Sequence, residues 1–112
     1  MSECIFCKMV AGEIQPEVVY EDAHTLAFRD LHPQAPTHLL VIPKVHVATL
    51  NDLDDFSLSG NLLSAVRVVA QQAGLAESGY RTVINCNRDG GQEVYHLHVH
   101  VLGGRKLSWP PG

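Results

Sequence analysis

Residues 96–102 read His-Leu-His-Val-His-Val-Leu, a strict alternation of imidazole and aliphatic side chains. Because successive side chains of a β-strand point to opposite faces, this segment predicts a strand with three histidines on one face and aliphatic residues on the other. A row of imidazoles lowers both packing and β-propensity, which argues against a purely structural role. The segment therefore predicts a sheet that a helix covers on the aliphatic face and that carries a chemical site on the other face.

The rest of the chain supplies elements for such a sheet. Apolar residues recur at steps of three and four before Gly74, which predicts a long helix over 54–73. This apolar stripe consists of Leu58, Leu62, Val66, Val69 and Ala73. A short helix is predicted over 4–11, strands over 17–20, 25–29, 38–42, 80–86 and 95–102, and loops over 31–37 and 87–91. This order indicates an α+β fold, with a five-stranded antiparallel sheet, one long helix and one short helix in a single domain of residues 1–112.

Composition limits the classes of function. The 112 residues carry a net charge of −4, and the eight lysines and arginines are scattered, which disfavours binding to a nucleic-acid polymer. No apolar run approaches the roughly 20 residues of a membrane span, and the first residues lack the features of a signal peptide. We therefore expect a cytoplasmic protein without a membrane partner, whose three cysteines form no disulfide framework.

Two kinds of chemistry fit a row of imidazoles. Neutral imidazole is the commonest metal ligand in proteins, so the row is compatible with a metal site. Neutral imidazole is also a good nucleophile toward phosphorus near pH 7, and neighbouring imidazoles can move protons. The row alone does not decide between the two.

The sequence resembles the histidine-triad (HIT) superfamily, and within it the Hint branch. The triad signature is His96 to Leu102, in which each histidine precedes an apolar residue. Further matching segments are 30–38 (Asp-Leu-His-Pro-Gln-Ala-Pro-Thr-His), 41–44 (Val-Ile-Pro-Lys), 89–95 (Asp-Gly-Gly-Gln-Glu-Val-Tyr), 103–105 (Gly-Gly-Arg) and 109–112 (Trp-Pro-Pro-Gly). The resemblance implies a hydrolase that cleaves the P–N bond of purine nucleoside monophosphoramidates through a covalent nucleotidyl-histidine.

The resemblance also implies roles for particular residues. His98 matches the nucleophile, His100 and His38 match the flanking pair that contacts phosphate, and His96 completes the catalytic row. Asp30 matches the residue that binds the ribose hydroxyls. The other expected nucleotide-binding residues are Ile5, Phe6, Phe28, Leu31 and Leu40 around the purine, Asn85 and Gly91 beside the phosphate, and Trp109 beside the leaving group. Glu93 receives no role, because a carboxylate repels a phosphate unless it turns aside or is protonated.

Cys4 and Cys7 form a second constellation. Thiols at positions i and i+3 of a helical turn share one face and can bind one metal ion. The resemblance adds His46 and His96 to this pair, as in family members that bind zinc, and implies a structural zinc site. The alternative is a reduced pair without metal. No organic cofactor is expected.

The resemblance further implies a homodimer whose two sheets merge into one of ten strands, with the Trp109 end near the partner's nucleotide. Exposed sheet edges are often covered in this way. Two other functions stay open: hydrolysis of dinucleoside polyphosphates or of nucleotidyl sulfates and fluorides, and a non-catalytic module that binds nucleotide or zinc. The intact residues His98, His100 and His38 argue against the module, because a scaffold needs no imidazole row.

Overall fold

The computed structural model describes residues 3–112, which form a five-stranded antiparallel sheet with the strand order β1-β2-β3-β5-β4. The elements in chain order are α1 (Ile5–Val10), β1 (Val18–Glu21), β2 (Thr25–Arg29), β3 (Thr37–Pro43), a 3-10 turn (Leu50–Asp52), α2 (Phe56–Gln72), β4 (Arg81–Val83), α3 (Asn87–Gly90) and β5 (Val99–Gly103). This confirms the predicted fold class. No helix within residues 3–112 is long and apolar enough to cross a membrane.

Helix α2 follows the predicted apolar stripe. Its N-cap is Asp55, whose side chain accepts a hydrogen bond from the Leu58 N–H at 3.1 Å, and the helix ends at Gln72, two residues before the left-handed Gly74. Buried side chains of α2 pack on aliphatic side chains of the sheet; this core includes Leu62, Val66, Val69, Leu39, Val41, Val99 and Val101. The helix therefore covers the aliphatic face of β5, as the alternation predicts.

The triad strand is shorter than predicted. Strand β5 begins at Val99, so His96 and His98 precede it and do not belong to the sheet ladder. Pro43 ends the neighbouring strand, because it has no N–H to extend the ladder and its carbonyl oxygen accepts a hydrogen bond from the His96 ring at 2.8 Å. The backbone bends at residues 94–96, before β5, and the predicted strand over 80–86 also shortens to Arg81–Val83.

The loop predicted over 87–91 contains the short helix α3, which the left-handed Gly91 caps at its C-terminus. Gln92 fixes this segment, since its side chain accepts from the Asn87 N–H and donates to the carbonyls of Ala48 and Val94. Residues 87–91 therefore form a short helix held by side-chain hydrogen bonds, and not a simple turn.

A second apolar cluster lies on the face of the sheet opposite α2. Helix α1 contributes Phe6, which packs edge-on against Phe28 of β2 with ring centroids 5.5 Å apart. Leu26, Leu40 and Ile42 complete this cluster. Helix α1 thus rests on the face of the sheet that carries the histidines.

Candidate active site

A cavity of about 590 Å³ opens beside helix α1, a volume typical of small-molecule sites. Its walls contain eleven of the residues predicted to act on nucleotide: Ile5, Phe6, Phe28, Asp30, Leu31, His38, Leu40, Asn85, Gly91, His98 and His100. Leu31 is 85% exposed, so it lies at the rim of the cavity. The structure therefore brings together residues that are up to 95 positions apart in the sequence, Ile5 and His100.

His98 is held by the backbone of its own segment. Its Nδ1 lies 2.7 Å from the carbonyl oxygen of His96. Since a carbonyl only accepts, Nδ1 carries the proton and donates, which leaves the lone pair on Nε2. The ring is 8% exposed and packs edge-on against Phe6, with ring centroids 5.2 Å apart. An imidazole held in this orientation, with its lone pair on Nε2, is the form required of a nucleophile.

His38 and His100 form an oriented pair beside His98. The backbone N–H of Gln34 donates to Nδ1 of His38 at 3.0 Å, so the His38 proton is on Nε2. That Nε2 lies 2.9 Å from Nδ1 of His100 and 3.3 Å from Oδ2 of Asp30. Because His38 donates to Nδ1 of His100, the proton of His100 is on its Nε2. His100 is thus a hydrogen-bond donor at its outer nitrogen.

Burial keeps this pair uncharged. Desolvation, followed by the charges of His98 and His38, lowers the pKa of His100 to about 4, although Asp30 opposes the shift. Desolvation also lowers the pKa of His38, again against Asp30. Both rings are therefore neutral near pH 7, which is the protonation state that the hydrogen bonds require.

A second cluster lies at the start of α1 and consists of Cys4, Cys7, His46 and His96. Nδ1 of His96 lies 3.4 Å from Cys4 Sγ, 3.6 Å from Cys7 Sγ and 3.2 Å from His46 Nδ1, and Cys7 Sγ lies 3.3 Å from His46 Nδ1. Tetrahedral zinc with its usual bond lengths places such ligand atoms about 3.3 to 3.8 Å apart. Nε2 of His96 donates to the Pro43 carbonyl, so its Nδ1 lone pair points into the cluster. The four residues therefore fit a closed zinc site.

Asp30, His38 and His100 also lie close enough to share a metal ion. Nε2 of His38, however, carries a proton because the Gln34 N–H occupies the other ring nitrogen. Moving that proton to Nδ1 would place two N–H groups head to head, so His38 is a poor ligand there. This trio is arranged for hydrogen bonding and not for metal.

Two predicted residues lie outside the cavity of the described chain. The His96 ring belongs to the Cys-His cluster, and only its carbonyl group reaches the site, through His98. Trp109 is 78% exposed, with the Arg81 guanidinium 5.8 Å from its ring centroid. Arg81 also donates to the carbonyl of Ser108 at 2.9 Å, so the tail follows β4 of its own chain.

The cavity also contains residues that the sequence analysis missed. Met9 lies one helical turn after Ile5, so helical spacing could have predicted it. No pattern in the sequence predicted Val94 or Gln34 as cavity residues. The role of Gln34 depends on its backbone, which the identity of a side chain does not reveal. Glu93 lines the cavity and is exposed, so its carboxylate has room to turn away from a phosphate.

Comparison with known proteins places this geometry in context. The sequence matches the HIT domain family over residues 11–107. It is 48% identical to the purine nucleoside phosphoramidase of Escherichia coli K12 over 108 residues, which cover 95% of this chain and 91% of that protein. It is 52% identical to the 14 kDa zinc-binding protein of Zea mays, covering 99% and 89% of the two chains. The fold superposes on a HIT family hydrolase from Legionella pneumophila with a TM-score of 0.95 and 57% identity, covering 98% of this chain and 100% of that one.

Proposed function

Because the chain belongs to the HIT domain family, we propose that it hydrolyses purine nucleoside 5′-monophosphoramidates, with His98 as the nucleophile. The observation that carries this proposal is the hydrogen bond from His98 Nδ1 to the His96 carbonyl. It leaves Nε2 with a lone pair, on a residue that lines the cavity. The 48% identity to the Escherichia coli purine nucleoside phosphoramidase supports the substrate class.

The cavity supports a particular placement of the nucleotide. Apolar side chains of α1, β2 and β3 offer a slot for the purine, and these are Ile5, Phe6, Phe28, Leu31 and Leu40. Asp30 is in position to accept from ribose hydroxyls, since its carboxylate is 18% exposed and lines the same cavity. The phosphate would then lie between His98 and the wall formed by Asn85 and Gly91, where Gly91 has no Cβ to obstruct it.

The reaction proceeds in two displacements. In the first, the lone pair of His98 Nε2 attacks the α-phosphorus and forms a P–N bond to His98, while the P–N bond to the amine breaks. The electron pair of the broken bond stays on the amine nitrogen, which takes a proton through Nε2 of His100, and His100 takes up a proton from solvent in the same displacement, so that it stays neutral. In the second, water attacks phosphorus, the bond to His98 breaks with its electron pair returning to Nε2, and a proton of the water passes through His100 back to solvent.

The Cys-His cluster is proposed to hold one structural zinc ion, through Cys4, Cys7, His46 and His96. The ligand distances and the tautomer of His96 support this assignment, as does the similarity to a zinc-binding protein. Zinc bound by four protein ligands would supply structural cross-linking and no open coordination position for chemistry. Its ligands would tie α1, and with it Phe6, to the segment that carries His98.

A homodimer is part of the proposal. The outer strand β4 has only three residues, and its free edge suits pairing about a two-fold axis. Within one chain Trp109 does not line the cavity, so a role beside the leaving group requires the site of a partner. Arg81 supports such an arrangement, because its guanidinium donates to the carbonyl oxygens of Leu107 and Ser108 and so ties the tail to β4.

The test compares His98→Ala with His24→Ala, a control histidine in the exposed β1–β2 turn. Amine release from an AMP phosphoramidate should fall by several powers of ten in His98→Ala and remain near wild type in His24→Ala. Calorimetry should show AMP binding in both variants. Wild-type protein that ignores phosphoramidates but cleaves a diadenosine polyphosphate or an adenylyl sulfate would replace the proposed substrate class, and inactivity on all of them would support a binding module.

A further inference from the structure

Which ring nitrogen of His100 carries the proton depends on a backbone amide that does not touch His100. No pattern of side chains in the sequence identifies this amide. The Gln34 N–H donates to Nδ1 of His38 at 3.0 Å, and His38 in turn is 2.9 Å from Nδ1 of His100. A backbone amide cannot reverse its role as a donor. The direction of the whole chain of hydrogen bonds, and with it the proton on the outer nitrogen of His100, therefore depends on where the Gln34 amide lies, together with Asp30, whose Oδ2 lies 3.3 Å from Nε2 of His38.

The Gln34 amide belongs to an exposed loop, and residues just after β5 hold that loop in place. The Arg105 guanidinium donates from Nη2 to the Gln34 carbonyl at 3.0 Å. Gly104, in a left-handed conformation with φ of +91°, lies so close to the loop that a Cβ there would be 2.8 Å from Cβ of Pro36. Inside the loop, the Gln34 side chain donates to the His32 carbonyl at 3.0 Å.

We propose that Gln34 and Arg105 are positioning residues for the proton donor of the reaction. The Gln34 amide fixes the tautomer of His38, His38 fixes that of His100, and Arg105 keeps the amide within reach of His38. Without the amide, His38 is free to carry its proton on Nδ1, which leaves Nε2 as an acceptor and removes the constraint on His100. This inference rests on the proposed function only for the role of His100 as donor to the leaving nitrogen, and the tautomers themselves are independent of it.

Proline at position 34 removes the backbone N–H, whereas alanine keeps it, and both remove the side-chain amide. We expect kcat for an AMP phosphoramidate to be about tenfold lower in Gln34→Pro than in Gln34→Ala, the loss of roughly one hydrogen bond, with similar KM values. Nitrogen-15 NMR of the imidazoles should show His38 protonated at Nε2 in wild type and in Gln34→Ala, and a mixture of tautomers in Gln34→Pro.

Arg105→Ala tests the same loop without changing its backbone, and Arg67→Ala on the exposed side of α2 is the matched control. We expect Arg105→Ala to lower kcat by about two- to tenfold and to shift the His38 tautomer, with Arg67→Ala at wild-type values. Arg105→Lys should restore part of the loss. If Gln34→Pro does not fold, the comparison of Arg105→Ala with Arg67→Ala still tests the positioning role.

Wild-type His38 protonated at Nδ1 would overturn the inference, as would a folded Gln34→Pro or Arg105→Ala with unchanged tautomers and kcat. If the protein hydrolyses no phosphoramidate, the NMR experiment still tests the tautomers. Failure of the proposed function is then seen separately from failure of the positioning role.

Discussion

At three histidines a backbone group decides which ring nitrogen carries the proton. The carbonyl of His96 takes the Nδ1–H of His98, the carbonyl of Pro43 takes the Nε2–H of His96, and the amide of Gln34 faces Nδ1 of His38. In the proposed function, these bonds assign three different tasks to one kind of side chain: nucleophile, metal ligand and proton relay. Chemically identical residues are thus distinguished by the main-chain groups they meet.

The buried histidines make the stability of the protein sensitive to acid. The pKa of His100 is about 4 in the folded protein, against an ordinary 6.5 in the unfolded chain. Between these values the unfolded state binds more protons, so the free energy of unfolding falls as the pH is lowered. We expect urea unfolding to show a larger loss of stability between about pH 7.5 and about pH 5 in wild type than in His100→Asn. Equal losses in the two proteins would contradict the shift.

At the scale of elements, the sequence was most informative where a pattern repeats. The stripe of α2 and the aliphatic face of β5 were predictable, because burial against one partner imposes a period on the residues. The start of β5 was not predictable, since it depends on Pro43 in a strand more than fifty residues earlier. Eleven of the cavity residues followed from family resemblance, whereas the segment held by the Gln92 side chain and the loop of Gln34 depend on hydrogen bonds to the backbone, which leave no repeating signal in the sequence.

Helix α1 is too short to be stable alone, so its position should depend on the Cys-His cluster. Protein purified under reducing, chelator-free conditions should contain about one zinc ion per chain by elemental analysis. Cys4→Ser and Cys7→Ser should lose the ion and melt at a lower temperature, because ligand loss removes metal-coupled folding energy. Cys86→Ser, outside the cluster, is the control. Metal-free wild type with unchanged melting in the two cluster variants would exclude the zinc site.

At the scale of the whole molecule, the two faces of the sheet have different roles. One face packs on α2 and supplies the main core, and the other supports α1 and the cavity. The segment after β5 contacts two parts of the molecule. Its Arg105 donates to the Gln34 carbonyl in the loop beside the cavity, and its Ser108, just before Trp109, accepts from Arg81 of β4. The edge formed by β4 and this tail is where a second copy is expected.

Removal of residues 106–112 tests the shared site. Light scattering should give the mass of a dimer for the wild type, and Trp109 of each chain should form a wall for the leaving group of the other. We therefore expect truncation to change the ratio of rates for bulky aromatic and small aliphatic amines more than it changes hydrolysis of the smaller substrate. A monomeric wild type, or an unchanged ratio in a truncated dimer, would refute the shared site.

The central claim is that His98 becomes covalently nucleotidylated, and rapid quenching tests it most directly. Wild-type protein mixed with excess AMP phosphoramidate and quenched in alkali, which preserves phosphohistidine bonds, is digested and examined by mass spectrometry. We expect one adenylyl group, carried by the peptide that contains residues 96–100 and located on His98, and no such group in His98→Ala. An adenylyl group on another residue, or amine release by His98→Ala at the wild-type rate, would contradict the account.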